Sequence, residues 1–127
     1  MKFGAILILG ILVSCSPEPV SSFSEIVGCY KTQDGKAVMQ IDSSGAVTTA
    51  NGSRIGLALL QTRGPASVLS LRPGIVISED GSRAIESGEP TRDHLVDKWR
   101  GDVNLALQAQ NFEAPATLLI RTPGSCS

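Results

Sequence analysis

Aromatic side chains are scarce: Phe3, Phe23, Tyr30, Trp99 and Phe112 complete the set, 4% of the chain. Platforms on which bases or sugar rings could stack are correspondingly few. Charge of one sign is lacking as well. Lys and Arg number 11 against 12 Asp and Glu, scattered singly to a net charge of -1. No basic stripe forms to hold a phosphate backbone, and nucleic acid is not an expected partner. With one histidine and three cysteines, the ligand spacings of metal sites are absent, and so is a G-x-S-x-G nucleophile elbow. No metal, cofactor or catalytic residue is therefore expected. Nor is any apolar run long enough to span a bilayer, since the longest, residues 3–13, is about half of the roughly 20 residues a helix needs. The length of 127 residues is that of one domain.

What is present begins at the first residues. Lys2 carries a charge, residues 3–13 are apolar, and small Ser14 precedes Cys15, which is the layout of a secretory signal. No A-x-A site for the ordinary signal peptidase lies nearby. The four residues Leu12, Val13, Ser14 and Cys15 resemble the lipobox of bacterial lipoproteins. That resemblance implies a signal peptide over residues 1–14, lipid attachment at Cys15 with cleavage before it, and acylation of the new amino group. Three acyl chains, at about 0.8 kcal/mol per buried methylene, anchor a protein lastingly where one chain is marginal. By analogy with lipoproteins of enteric bacteria, Ser16 in place of Asp implies the outer membrane, facing the periplasm. Residues 15–24, rich in Pro and Ser, are expected to form a lipidated tether. Extended at about 3.1 Å per residue, it would reach on the order of 28 Å.

Three cysteines are an odd number for an exported chain. Lipidation of Cys15 would leave Cys29 and Cys126, which bracket almost the whole domain in a compartment that favours disulfides. A metal site or a redox couple would need neighbours that are missing, with no C-x-x-C and one histidine. A structural disulfide is expected. Closing a loop of about 100 residues stabilises by roughly 4–5 kcal/mol in the chain-entropy account.

From residue 25 onward, turn dipeptides recur at short intervals: Asp34-Gly35, Ser44-Gly45, Asn51-Gly52, Gly64-Pro65, Pro73-Gly74 and Asp80-Gly81. Runs rich in Val, Ile, Leu and Thr lie between them, the signature of an all-β sandwich or barrel. Strands are predicted near 26–33, 36–42, 46–50, 53–62, 66–72, 75–79, 83–87, 99–109 and 116–121. Val103, Leu105 and Leu107 alternate with Asn104, Ala106 and Gln108, as in a half-buried strand. Ile55, Leu57 and Leu59 face Gly56, Ala58 and Leu60, so this strand is expected to be covered on both faces. The fold class is all-β: a single domain over residues 25–127, a small antiparallel β-barrel or sandwich of about eight strands with little room inside. Residues 88–98 break the pattern. Pro90 and a candidate N-cap at Thr91 predict one short helix near 91–98, read as a plug over a barrel end.

Asp93, His94 and Asp97 form the one concentrated titratable cluster, on that same stretch. An orienting carboxylate beside a histidine is two parts of a catalytic triad, but nothing nominates a nucleophile, so a solvated loop histidine is expected. Glu79 with Asp80 reads as a pair of exposed turn acids. Arg100-Gly101-Asp102 matches an integrin-binding triplet and reads as a turn or bulge beside Trp99. In general plan the chain is also similar to small lipoproteins that inhibit C-type lysozyme. The shared elements are a lipobox, a compact barrel, the Cys29 and Cys126 pair, and a loose likeness of Trp99 and Gly101 to that family's last motif. Ser87 and Gly88 are followed by Glu89, Pro90 and Thr91 rather than completing Ser-Gly-x-x-Tyr. The family's inhibitory residues are not carried over.

The expected function is that of a membrane-anchored envelope lipoprotein acting as a non-enzymatic binding or structural accessory domain. Its partners would be the membrane, through the lipid, and a protein or other envelope component. The alternatives are a periplasmic inhibitor of a hydrolase such as lysozyme, and a small-ligand or lipid carrier. Cys15→Ala is expected to move the protein from the membrane pellet to the soluble fraction; continued sedimentation of the variant with membranes would overturn the anchor.

Overall fold

Four hairpin turns share one construction. The N–H groups of Gly35, Gly45, Gly52 and Gly81 donate to the carbonyls of Thr32, Asp42, Thr49 and Ser78, at 2.9, 3.0, 2.9 and 2.9 Å. Their φ angles of 91°, 90°, 92° and 75° lie in the left-handed region, which glycine enters without a Cβ clash. Each turn reverses the chain into an antiparallel neighbour. The result, in a computed structural model that describes residues 17–126, is a closed barrel. The signal peptide expected over residues 1–14 and the expected lipid attachment at Cys15 lie outside the described residues.

In chain order the elements are β1 (Glu18–Pro19), a 3-10 helix (Phe23–Ile26), β2 (Gly28–Lys31), β3 (Ala37–Ile41), β4 (Ala46–Thr49) and β5 (Arg54–Arg63). They continue with β6 (Ala66–Arg72), β7 (Ile75–Ile77), β8 (Ala84–Glu86), β9 (Arg92–Trp99), β10 (Asp102–Leu107) and β11 (Thr117–Thr122). Antiparallel pairing runs β9-β10-β11-β2-β3-β4-β5-β6, and β6 pairs back to β9. The barrel alternative is the correct one. β1 extends the same edge of β9 past β6, with Glu18 opposite Lys98 and Pro19 opposite Asp97. β7 and β8 form a separate hairpin.

An eight-stranded barrel is just wide enough for side chains to fill. Tyr30, Met39, Ile41, Leu69, Leu71, Leu105, Leu107 and Leu119 occupy this interior, all at 0% exposure. On β5 the expectation of two covered faces is corrected. Ala58 points inward, while Leu57 and Leu59 are 44% and 42% exposed on the outer face. Alternation along the strand sends Leu57 and Leu59 to the face opposite Ala58, whose register partner Leu71 is buried inside. A Cβ on Gly56 would meet the carbonyl oxygen of Arg72 at 2.6 Å and Ile75 at 3.0 Å. Cys29 and Cys126 are joined across a Cα separation of 4.9 Å, which ties β2 to the segment that follows β11.

The helix expected near 91–98 is a correction too: those residues form most of β9. Its inward positions are Arg92, His94 and Val96, at 4%, 0% and 2% exposure, whereas Leu95 faces out at 60%. Polar residues inside and an apolar residue outside invert the usual alternation, so the stretch does not read as a strand. The strand expected over 99–109 is in fact two, broken at Arg100 and Gly101. Their φ angles of 53° and 87° make the two-residue β9–β10 turn, where the integrin-like triplet lies.

Segments outside the barrel wall plug both ends. At one end the 3-10 helix buries Ile26, and Val20 before it, at 0% exposure. The Tyr30 hydroxyl donates to the Ile26 carbonyl at 2.7 Å, and the Ser67 hydroxyl donates to the Val20 carbonyl at 2.9 Å. Lys98 reaches Glu25 at 2.7 Å. Over its described part, the tether expected at 15–24 is thus docked on the barrel, because Val20 and the helix supply the apolar cover that this end needs. At the other end β7 and β8 do the same with Ile75 and Ile77. Ala58→Leu should lower stability by roughly 1–3 kcal/mol through overpacking. Leu59→Ala should cost far less, and equal losses in urea unfolding would show the β5 faces to be misassigned.

Candidate binding site

The hairpin at the second end is held from inside the barrel by β9. The N–H of Gln108 donates to His94 Nδ1 at 3.1 Å. A backbone amide can only donate, so Nδ1 carries no proton and Nε2–H donates to the Ile75 carbonyl at 2.8 Å. The ring is neutral, buried, and bonded at both nitrogens. Burial lowers its pKa to about 4, against the opposing pull of the Ile75 carbonyl. The solvated loop histidine of the sequence reading is therefore corrected to a buried strut between β9, β10 and the hairpin.

Arg92, one step of the inward face away, braces the same end. Its guanidinium donates to Glu89 Oε1 at 2.6 Å, Gln108 Oε1 at 3.0 Å and the Ala109 carbonyl at 2.9 Å. It also lies 3.8 Å from the ring centroid of Phe112, in cation–π contact. Gln108 Nε2 donates in turn to the Asp93 carbonyl at 3.0 Å. A 4% exposed cation with four contacts fixes both the 87–91 connection and the loop 108–116. Sequence inspection missed Arg92, Gln108 and Phe112 as parts of one site. The available signal was the spacing of Arg92, His94 and Val96 at every second residue, masked by the polar identity of the first two.

The cluster of Asp93, His94 and Asp97 does not assemble. The pleat sends neighbouring side chains to opposite faces. Asp93 is outside, accepting from the Ser70 hydroxyl at 2.5 Å and Arg63 at 2.7 Å. The Ser70 bond and Arg63 hold its carboxyl below the usual range. Burial pushes Asp97 up instead. Glu79 and Asp80 sit in the β7–β8 turn, where Asp80 accepts from the hydroxyls of Ser78 and Ser82, both at 2.7 Å. The Ser82 and Ser78 bonds lower its pKa to about 2.

Between this hairpin and the loop 108–116 lies a cleft of about 880 Å³. Ile77, Ile85, Ala109 and Pro115 form apolar walls, and Asp80, Gln110 and Asn111 place polar groups at them. Its lining contains two carboxylates and no Lys, Arg or His. Anions are disfavoured there, and a neutral or basic segment with small apolar side chains fits. The backbone is already used at the cleft floor, where the Ile77 N–H donates to the Gln108 carbonyl at 2.8 Å.

Comparison of the chain with protein-family models, curated proteins and solved structures produced no match.

The histidine strut predicts a pH dependence. Above its ordinary pKa of 6.5, His94 is neutral folded and unfolded and adds none. Below 6.5 the unfolded chain binds a proton that the folded protein refuses until about pH 4. Stability should therefore fall as the pH drops through that window, by up to about 3 kcal/mol. Urea unfolding at pH 7 and pH 5 checks this, and His94→Gln should flatten the difference. A wild-type midpoint identical at both pH values would refute it.

Proposed function

We propose that this chain is a membrane-anchored envelope lipoprotein acting as a non-enzymatic binding or accessory domain. The lipid on Cys15 would hold it, at the outer membrane facing the periplasm. The cleft between the β7–β8 hairpin and the loop 108–116 would receive a segment of a partner protein. The observation that carries this reading is the polarity of the barrel along β9. The chain enters beside Asp97 and Lys98, and the cleft lies by Arg92 and Gln108, roughly 20 Å away at about 3.3 Å per residue. A lipid at the entry end leaves the cleft facing away from the membrane. Arg92 and His94 hold both walls in place before any partner arrives, which reduces the ordering cost of binding.

The filled interior leaves the carrier alternative without a lumen. The hydrolase-inhibitor alternative keeps a different prediction, loss of lysozyme activity in a turbidity assay. For the accessory reading, photocrosslinking groups are placed at Asn111 in the cleft and at Thr62 on the opposite part of the wall. In intact cells Asn111 is expected to trap one discrete envelope protein that Thr62 does not. Ala114→Trp, which fills the cleft, should abolish that product. Identical products from both positions, or a product that survives Ala114→Trp, would overturn the cleft as the binding site.

A further inference from the structure

The tip of the β9–β10 hairpin carries the chain's single tryptophan, Trp99, 38% exposed. The Arg100 guanidinium lies 5.8 Å from its ring centroid. Leu95, on the same outward face of β9, is 60% exposed. The β1 pairing brings the chain entry to this tip. Glu18 is opposite Lys98 and Pro19 opposite Asp97, so the chain runs in from the side of Trp99.

Docking of β1 removes most of the reach that a free tether would have. Only Ser16 and Pro17 separate Cys15 from Glu18, a span of at most about 10–11 Å. Trp99 adjoins Lys98, the register partner of Glu18, and paired strands lie about 5 Å apart. A lipidated Cys15 would start at the edge of the hydrocarbon, beneath a headgroup layer roughly 5–8 Å deep. Trp99 is thereby kept within roughly 17 Å of the acylated residue, close enough to reach the headgroup layer, where indole rings settle with the apolar body down and the N–H wet.

We infer that the β9–β10 tip is a second membrane contact, in which Trp99 inserts into the phospholipid headgroup layer beside the lipid anchor. The inference rests on the lipid-anchor reading of Cys15. Two contacts orient the barrel where one would only tether it, and the orientation aims the cleft near Arg92 away from the bilayer. Leu95 is about 13 Å further along the strand, at about 3.3 Å per residue, beyond the reach of a tip that enters only the headgroups.

Because Trp99 is the single tryptophan, its emission reads the contact directly. The full-length lipidated protein is reconstituted into phosphatidylethanolamine–phosphatidylglycerol vesicles, with and without lipids brominated near the headgroup end of the acyl chain. Sedimentation with the vesicles is scored first. Bromination is then expected to cut Trp99 emission by about two-fold and shield it from aqueous iodide, as for an interfacial indole. A Trp99→Phe, Phe112→Trp variant moves the reporter to the cleft end, where bromination should have no effect. Protein that sediments but whose Trp99 emission ignores bromination and is quenched by iodide would overturn the inference and leave the anchor standing. Failure of the lipidated preparation to sediment would overturn the anchor reading and the inference with it.

Discussion

Pairing between β6 and β9, from Ser67 opposite Val96 to Leu71 opposite Arg92, turns a meandering sheet into a barrel, and both plugged ends depend on it. β9 is hydrogen-bonded along both edges, to β10 on one side and to β6 and then β1 on the other. Full closure removes the open edges that would template association with other strands. It also creates the problem that the remaining structure solves: a closed barrel of this size has an apolar interior and two open mouths.

The inward face of β9 supplies the polar fittings for both mouths. Arg92 and His94 hold the β7–β8 hairpin and the loop 108–116. Lys98, at the far end of the strand, pairs with Glu25 of the 3-10 helix, whose carboxylate also accepts from the Ser21 and Ser22 N–H groups at 2.9 and 3.0 Å. Those contacts, the Lys98 bond first, lower the Glu25 pKa to about 2. Buried polar groups such as Arg92 and His94 are tolerable because each finds a partner; a half-satisfied network would cost more than an apolar one. Among the described residues, every buried side-chain nitrogen or oxygen has a hydrogen-bond partner.

A strand fastened at both ends separates two surfaces with different chemistry. One end gathers the incoming chain and an exposed indole. The other holds a preformed acidic and apolar cleft. On the proposed reading this polarity is the functional design, with membrane contact and partner recognition kept apart by the length of β9. The neutral His94 ring lies between them inside the barrel, bonded to the β7–β8 hairpin at one nitrogen and to Gln108 at the other.

The all-β class, most strands and the hairpin turns were legible from the chain, because alternation and turn dipeptides are local signals. Asp34-Gly35 and Asn51-Gly52 make the turns expected of them. Local reading failed where burial was decided by distant parts. The residues from Arg92 to Lys98 looked helical and polar because their partners, Gln108, Glu89, Ile75 and Glu25, lie outside any local window. Residues 18–24 looked like a free tether because nothing local announces that Val20 caps a barrel end. Leu57 and Leu59 looked buried because hydrophobicity does not report which face of a strand lies inside. The sequence alone determined the class of secondary structure and the turns, which depend on neighbours a few residues apart. Only the tertiary structure decided closure, which face of each strand is inside, and where a cleft opens, since each depends on contacts between residues far apart in the chain.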